Sequence, residues 1–129
     1  MISHLLFAFA VQRAASFATI GYLPEWRYSG ANFRTLSAHL SHLIFFSAEP
    51  LPSGELSGLD RLPSPADLAE AHAAASPSGT KLMVCFGGNG RSSGFAPMVR
   101  AKPRRARFIS RAAELVKSGQ YHGIDINWE

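Results

Sequence analysis

The sequence predicts an α/β fold built on parallel strands. Four near-continuous apolar runs of strand length recur along the chain, and segments with helical spacing fill the gaps between them. A strand covered on both faces reads as a continuous apolar run because neither face meets water. Four such units fit a doubly wound sheet and a (β/α)8 barrel alike, and periodicity does not choose between them. At 129 residues and 47% hydrophobic, the chain has the size and apolar content of one globular domain.

The first run is SFATIGYL, Ser16 to Leu23. A short helix follows, with Asn32 as N-cap and Phe33, Leu36 and Leu40 on one face. The second run, SHLIFFSA, covers Ser41 to Ala48. The second helix starts at Ser64, with Pro65 in its first turn and Asp67 three residues after the cap, and is expected to stop before Pro77 and Gly79. KLMVCFGG, Lys81 to Gly88, is the third run. A basic helix from about Pro103 to Ser118, stopped by Gly119, leads into the fourth run, HGIDINWE, His122 to Glu129.

Charge and composition exclude several functions. The formal net charge is +4, yet between Arg100 and Lys117 seven cations stand against Glu114 alone, a local +6. Arg100, Arg104, Arg107 and Arg111 recur at helical spacing opposite Phe108, Ala112 and Leu115, which describes a solvated helix face. No aromatic residues interleave for bases to stack on, so no nucleic-acid partner is expected. A single cysteine, Cys85, allows neither an intrachain disulfide nor a thiolate pair, and His39, His42 and His72 lack metal-ligand spacing. No metal and no cofactor are therefore expected. The loop CFGGNGRSSG follows a strand as a phosphate cradle would, but it lacks Gly-Lys-Ser/Thr and the third glycine of a dinucleotide fingerprint.

Residues 1–16 form a leader. Its apolar run, Leu5 to Val11, is far short of the roughly 20 residues of a membrane span. Small residues at Ala8 and Ala10 suit a secretory cleavage site, although no Lys or Arg precedes the run. SHLLFAFA at Ser3 also echoes SHLIFFSA at Ser41, which suits a strand remnant from a misjoined gene.

In the fourth run, side chains alternate across the strand, so Gly123, Asp125, Asn127 and Glu129 share one face and Ile124, Ile126 and Trp128 the other. The apolar set is expected to pack on helices. Unpaired, each polar group would cost about 1–3 kcal/mol if buried, so the row must bond internally or to a ligand. A structural network and a binding site both meet that demand.

HGIDINWE resembles the strand-four signature of glycoside hydrolase family 18, the chitinase-like family, written Asp-Gly-x-Asp-x-Asp-x-Glu. Gly123, Asp125, Trp128 and Glu129 match it, with Ile124 similar in kind. Gly21-Tyr22 resembles the family's strand-one Gly-Tyr, HLIFFSAEP its second strand, and Cys85-Phe86-Gly87-Gly88 its strand-three Ser-x-Gly-Gly. The resemblance covers residues 17–129 and implies the N-terminal half, strands one to four, of a (β/α)8 TIM barrel. It implies a glycosidase acting on a carbohydrate that contains N-acetylglucosamine, either a β-1,4-linked polymer or the chitobiose core of N-glycans.

By the same resemblance, Glu129 is the acid, and the substrate's own acetamido oxygen serves as nucleophile. Asp125 and Asn127 orient the acetamido group and keep the acid loaded. Tyr22 lines the sugar site, with Gly87 and Gly88 beside it. Asn127 departs from the family's third acid: it accepts a hydrogen bond but offsets no positive charge. That departure motivates a second reading, a carbohydrate-binding relative without turnover. His122 replaces the motif's first Asp at a position pointing away from the catalytic face, and Cys85 replaces Ser with a weaker hydrogen-bonding group. A (β/α)8 domain takes roughly 250 residues. The run therefore suggests a truncated sequence, with a half-barrel pairing through its exposed edges as the alternative, and the 129 residues alone are expected to be inactive.

Overall fold

The computed structural model describes residues 17–129. β1 (Ile20–Pro24) pairs in parallel with β2 (His42–Pro50), β2 with β4 (Lys81–Gly87), and β4 with β5 (Gly123–Asn127). The two-residue β3 (Leu56–Ser57) adds antiparallel to the end of β2. The parallel path runs β1-β2-β4-β5, each new strand joining on the same side. A doubly wound sheet reverses its order at a switch point. This one does not, and a barrel-type progression follows.

Strand parity divides the sheet. Leu23, Leu43, Phe45, Leu82, Val84 and Phe86 form the buried core with Phe33 of α1 (Phe33–His39), Ala71 and Ala75 of α2 (Pro65–Ser78), and Phe108 and Ala112 of α4 (Lys102–Ser118). The other parity, including Tyr22, Ile44, Met83, Cys85, Asp125 and Asn127, forms the opposite, inner face. All the helices in this core lie on one side.

The helix signals act as their chemistry requires. Asn32 Oδ1 accepts the Thr35 N–H at 2.9 Å, and Ser64 Oγ accepts the Asp67 N–H at 3.1 Å. α2 passes through Pro77 to Ser78, a correction to the expected stop. Pro77 lies in the last turn and forfeits a single intrahelical bond there, while Gly79, at φ +73°, ends the helix. The short helix α3 (Phe95–Val99) and β3 had no clear sequence signal. Their five and two residues are too few to show a period.

The basic face of α4 is largely engaged by the chain itself. Arg111 pairs with Glu55 at 2.8 Å and with Glu114 at 3.0 Å, and Arg107 with Glu55 at 3.6 Å. Arg105 donates to the Val99 carbonyl at 2.5 Å and Arg104 to that of Pro97 at 3.4 Å. These contacts staple the loop after β2 and the end of α3 to the helix. Among the described residues no helix is long and apolar enough to cross a membrane, and no group of three metal-ligating side chains occurs. The leader, residues 1–16, lies outside the described residues.

Candidate active site

The polar row of β5 rises at the C-terminal edge of the sheet. In register, Cys85 faces Asp125 and Gly87 faces Asn127. Tyr22, two strands further away, reaches across and donates its phenol to Asp125 Oδ2 at 3.0 Å. One face thus brings together two residues 103 positions apart in the chain. The Tyr22 ring also stands edge-on to Phe46, centroids 6.3 Å apart at 81°.

Below them, Cys85 is fully buried. Burial, and then the Asp125 carboxylate beside it, push its thiol pKa up. It is a packing group under the carboxylate, with little thiolate character. Asp125 thus has the phenol as its hydrogen-bond donor and the buried thiol in register beside it.

Gly87 and Gly88 turn at φ +93° and +96°. A Cβ on Gly87 would strike the Asn127 carbonyl and the Phe95 ring, and one on Gly88 would strike the Phe46 ring. Both glycines are required by close approach as well as by backbone conformation. They let the loop after β4 fold down over Asn127. Glu129 lies just past the end of β5 and is exposed. Among the described residues, no hydrogen bond joins the side chains of Asp125, Asn127 and Glu129 to one another, so the internal network admitted by the spacing is absent.

The apolar parity of β5 departs from expectation. Ile124 and Ile126 remain 40% and 46% exposed, and of the three only Trp128 makes an aromatic contact, stacking on Phe95 with centroids 5.1 Å apart. α4 approaches this strand through few residues. Parity placed these side chains on the helix side of the sheet but said nothing of whether a helix covers them.

Several rim residues escaped sequence reasoning. Arg91 pairs with Glu25 at 2.5 Å, donates to Ser47 Oγ at 3.1 Å, and holds its guanidinium 5.3 Å above the Phe46 ring. Burial, the largest single influence, acts to raise the Glu25 pKa, but the Arg91 hydrogen bond, a backbone hydrogen bond and the charges of Arg91 and Arg61 together hold the carboxyl below its usual value. Trp26, in the turn directly after β1, is 69% exposed at the same end of the sheet. The signal for Arg91 and Ser92 was the loop CFGGNGRSSG, weighed only as a phosphate cradle. Two of the histidines are satisfied locally: Leu82 N–H donates to His122 Nδ1 at 3.1 Å, and His72 Nε2 lies 3.3 Å from the Gly119 carbonyl.

Tyrosine protonation makes the first testable consequence. Burial, then the bond to Asp125, push Tyr22 up to about 12, and burial alone pushes Tyr121 up to about 12. An unfolded tyrosine titrates near 10, so above about pH 10 the unfolded state binds fewer protons than the folded one and stability falls with pH. Denaturation midpoints are expected to be insensitive to these groups below about pH 10 and to decline from there towards about 12. Phenolate absorbance appearing at about pH 10 in protein that is still folded would contradict this.

A parallel sheet in sequential order, with helices on one side and a polar row at its C-terminal edge, is the architecture of part of a (β/α)8 barrel. The family model described as Glycosyl hydrolases family 18 matches residues 18–129, and the chain belongs to that family. No curated protein matches it in sequence. Among solved structures, it is similar to a chitinase from Rhizomucor miehei, at 23% identity and a TM-score of 0.69, covering 88% of this chain and 34% of that one. A family 18 chitinase from Cycas revoluta in complex with (GlcNAc)4 matches at 20% identity and a TM-score of 0.69, again covering 88% and 34%. The Group IV chitinase of Ostrinia furnacalis in complex with allosamidin matches at 17% and 0.69, covering 87% and 33%. The chain spans about a third of the length of these structures.

Proposed function

We propose that the protein is a chitinase-like glycosidase that cleaves β-1,4-linked N-acetylglucosamine polymers or N-glycan chitobiose with retention of configuration. The observation that carries this reading is the row Asp125, Asn127 and Glu129 at the C-terminal end of β5, with the Tyr22 phenol already seated on Asp125 at 3.0 Å. The (GlcNAc)4 bound by the Cycas revoluta enzyme supports the substrate class.

In this mechanism Glu129 gives its proton to the glycosidic oxygen as the bond to the anomeric carbon breaks. The substrate's acetamido oxygen forms the new bond to that carbon, producing an oxazolinium ion and the free leaving alcohol. Water, deprotonated by Glu129, then opens the ring from the same face as the departed group, and the acid is regenerated. Asp125, oriented by Tyr22, and the Asn127 amide hold the acetamido group for attack. Tyr22 and Phe46 provide the apolar floor, and exposed Trp26 offers a stacking surface for a neighbouring sugar. No resident metal or cofactor takes part in this scheme. Residues 1–16 are proposed as a leader to the 17–129 domain.

Asn127 supports a second reading, a carbohydrate-binding relative without turnover, because an amide leaves the oxazolinium charge without its full counterpart. Release of a fluorescent leaving group from a chitobioside decides between them. Joined to the C-terminal half of a family 18 domain, the chain is expected to turn over. The 129 residues alone are expected to show no turnover above a Glu129→Gln control, because β5 has one hydrogen-bonded neighbour and its apolar side is only partly covered. A completed barrel that binds N-acetylglucosamine oligomers without releasing product would favour the binding relative.

A further inference from the structure

β4 and β5 follow an ordinary parallel ladder as far as the pair Gly87 and Asn127. Beyond it the ladder runs out of partners. The Gly88 N–H still donates to the Asn127 carbonyl at 2.7 Å, but the Gly88 carbonyl, which a continued ladder would offer to Glu129, accepts the Arg91 N–H at 2.9 Å. The positive φ of both glycines has turned β4 away.

Ser92 fills the gap. Its Oγ accepts the Glu129 N–H at 3.3 Å and the Gly88 N–H at 3.2 Å. It has the Asn127 carbonyl at 3.0 Å and the Gly88 carbonyl at 3.1 Å as acceptors for its own proton. A hydroxyl has one proton to give and two lone pairs to receive, so this group is saturated. It is also 7% exposed, which leaves little room for water to replace it.

We infer that Ser92 is a positioning residue for Glu129: its side chain continues β4 by one rung and fixes the backbone from which the acid departs. The inference rests on the proposed role of Glu129. The loop that carries Ser92 is itself anchored at the preceding residue, where Arg91 is tied to Glu25 of the turn after β1 and to Ser47 of β2. Ser47 in turn donates to the Gly87 carbonyl at 2.8 Å. The hydroxyl therefore sits on a support that reaches back across two strands, and Glu129 takes its place from it.

The test uses a barrel completed with the C-terminal half of a family 18 domain. Ser92→Ala is expected to lower kcat on chitooligosaccharides about tenfold with KM nearly unchanged, since a misplaced acid is felt mainly in the transition state. Hydrogen exchange separates positioning from general loosening. The Glu129 amide should lose protection about tenfold, while the Gly88 amide, which keeps the Asn127 carbonyl, should retain it. Ser92→Cys preserves the size, weakens the acceptor, and is expected to fall between the two proteins; it also serves if the alanine variant does not fold. Unchanged kcat in either variant, or equal loss of protection at both amides, would overturn the inference. Full turnover in Glu129→Gln would instead remove the proposed acid, whatever Ser92→Ala does.

Discussion

Glu129→Gln, in a barrel completed with the rest of a family 18 domain, is expected to lower kcat by about a hundredfold to ten-thousandfold, the usual contribution of a general acid. Glutamine keeps the shape and can still donate a hydrogen bond to the glycosidic oxygen. It has no proton to transfer, so the sugar must leave as an alkoxide. Binding in the ground state depends little on that transfer, and KM should change far less than kcat. Leaving-group chemistry supplies the sharper control. A fluorescent phenol departs readily as an anion and needs less help, so the loss should be smaller on an aryl chitobioside than on a chitooligosaccharide. An equal loss on both substrates would mean that Glu129 orients the sugar and does not protonate it.

The sequence disclosed the part of this site that lies on a strand. Period-two alternation places Asp125, Asn127 and Glu129 on one side, and the structure keeps Asp125 and Asn127 in register with Cys85 and Gly87 on that inner face. Tyr22 was found through the family resemblance, and its 3.0 Å bond to Asp125 is a tertiary fact that no local pattern encodes. What stayed hidden lies in loops. Ser92 and Arg91 act through a fold-back that depends on two glycines at positive φ, and Arg91 meets Glu25, 66 positions earlier, because parallel pairing through β2 brings the ends of β1 and β4 to one edge of the sheet. Polar loop residues carry no periodicity, so their partners become visible only in three dimensions.

The same holds for the fold. Caps at Asn32 and Ser64 have local chemistry and were legible. Periodicity did not choose between a doubly wound sheet and a barrel, because that depends on the side to which each new strand adds; the family resemblance in HGIDINWE implied the barrel, and the strand order agrees with it. The exposed Ile124 and Ile126 show a related limit: alternation assigns a face, whereas cover for that face comes from another part of a fold.

Asn127→Asp, in the same completed barrel, is expected to raise kcat by about tenfold to a hundredfold and to leave KM within about threefold. As found, the Asn127 side chain lies beside the Gly88 backbone, which admits no Cβ, so little room separates it from the loop. Its amide oxygen can accept the acetamido N–H of a sugar in the ground state as well as a carboxylate oxygen of the same size can. The difference arises only as the acetamido oxygen attacks and positive charge spreads over the forming oxazolinium ring. Two unit charges about 4 Å apart at an effective dielectric of about 20 attract by about 4 kcal/mol. Solvent and the added cost of holding two carboxylates, Asp125 and the new one, in one row offset part of it. A surviving third to two thirds is about 1.4 to 2.8 kcal/mol, which gives the stated one to two decades in rate. A neutral substitution cannot mimic this, so Asn127→Ser, which keeps an acceptor on a shorter side chain but no charge, should not accelerate the reaction. If the aspartate variant matches the parent in kcat, the charge at this position has no part in the rate-limiting step. If it instead lowers KM tenfold at constant kcat, the residue acts in binding the sugar and not in offsetting the oxazolinium charge.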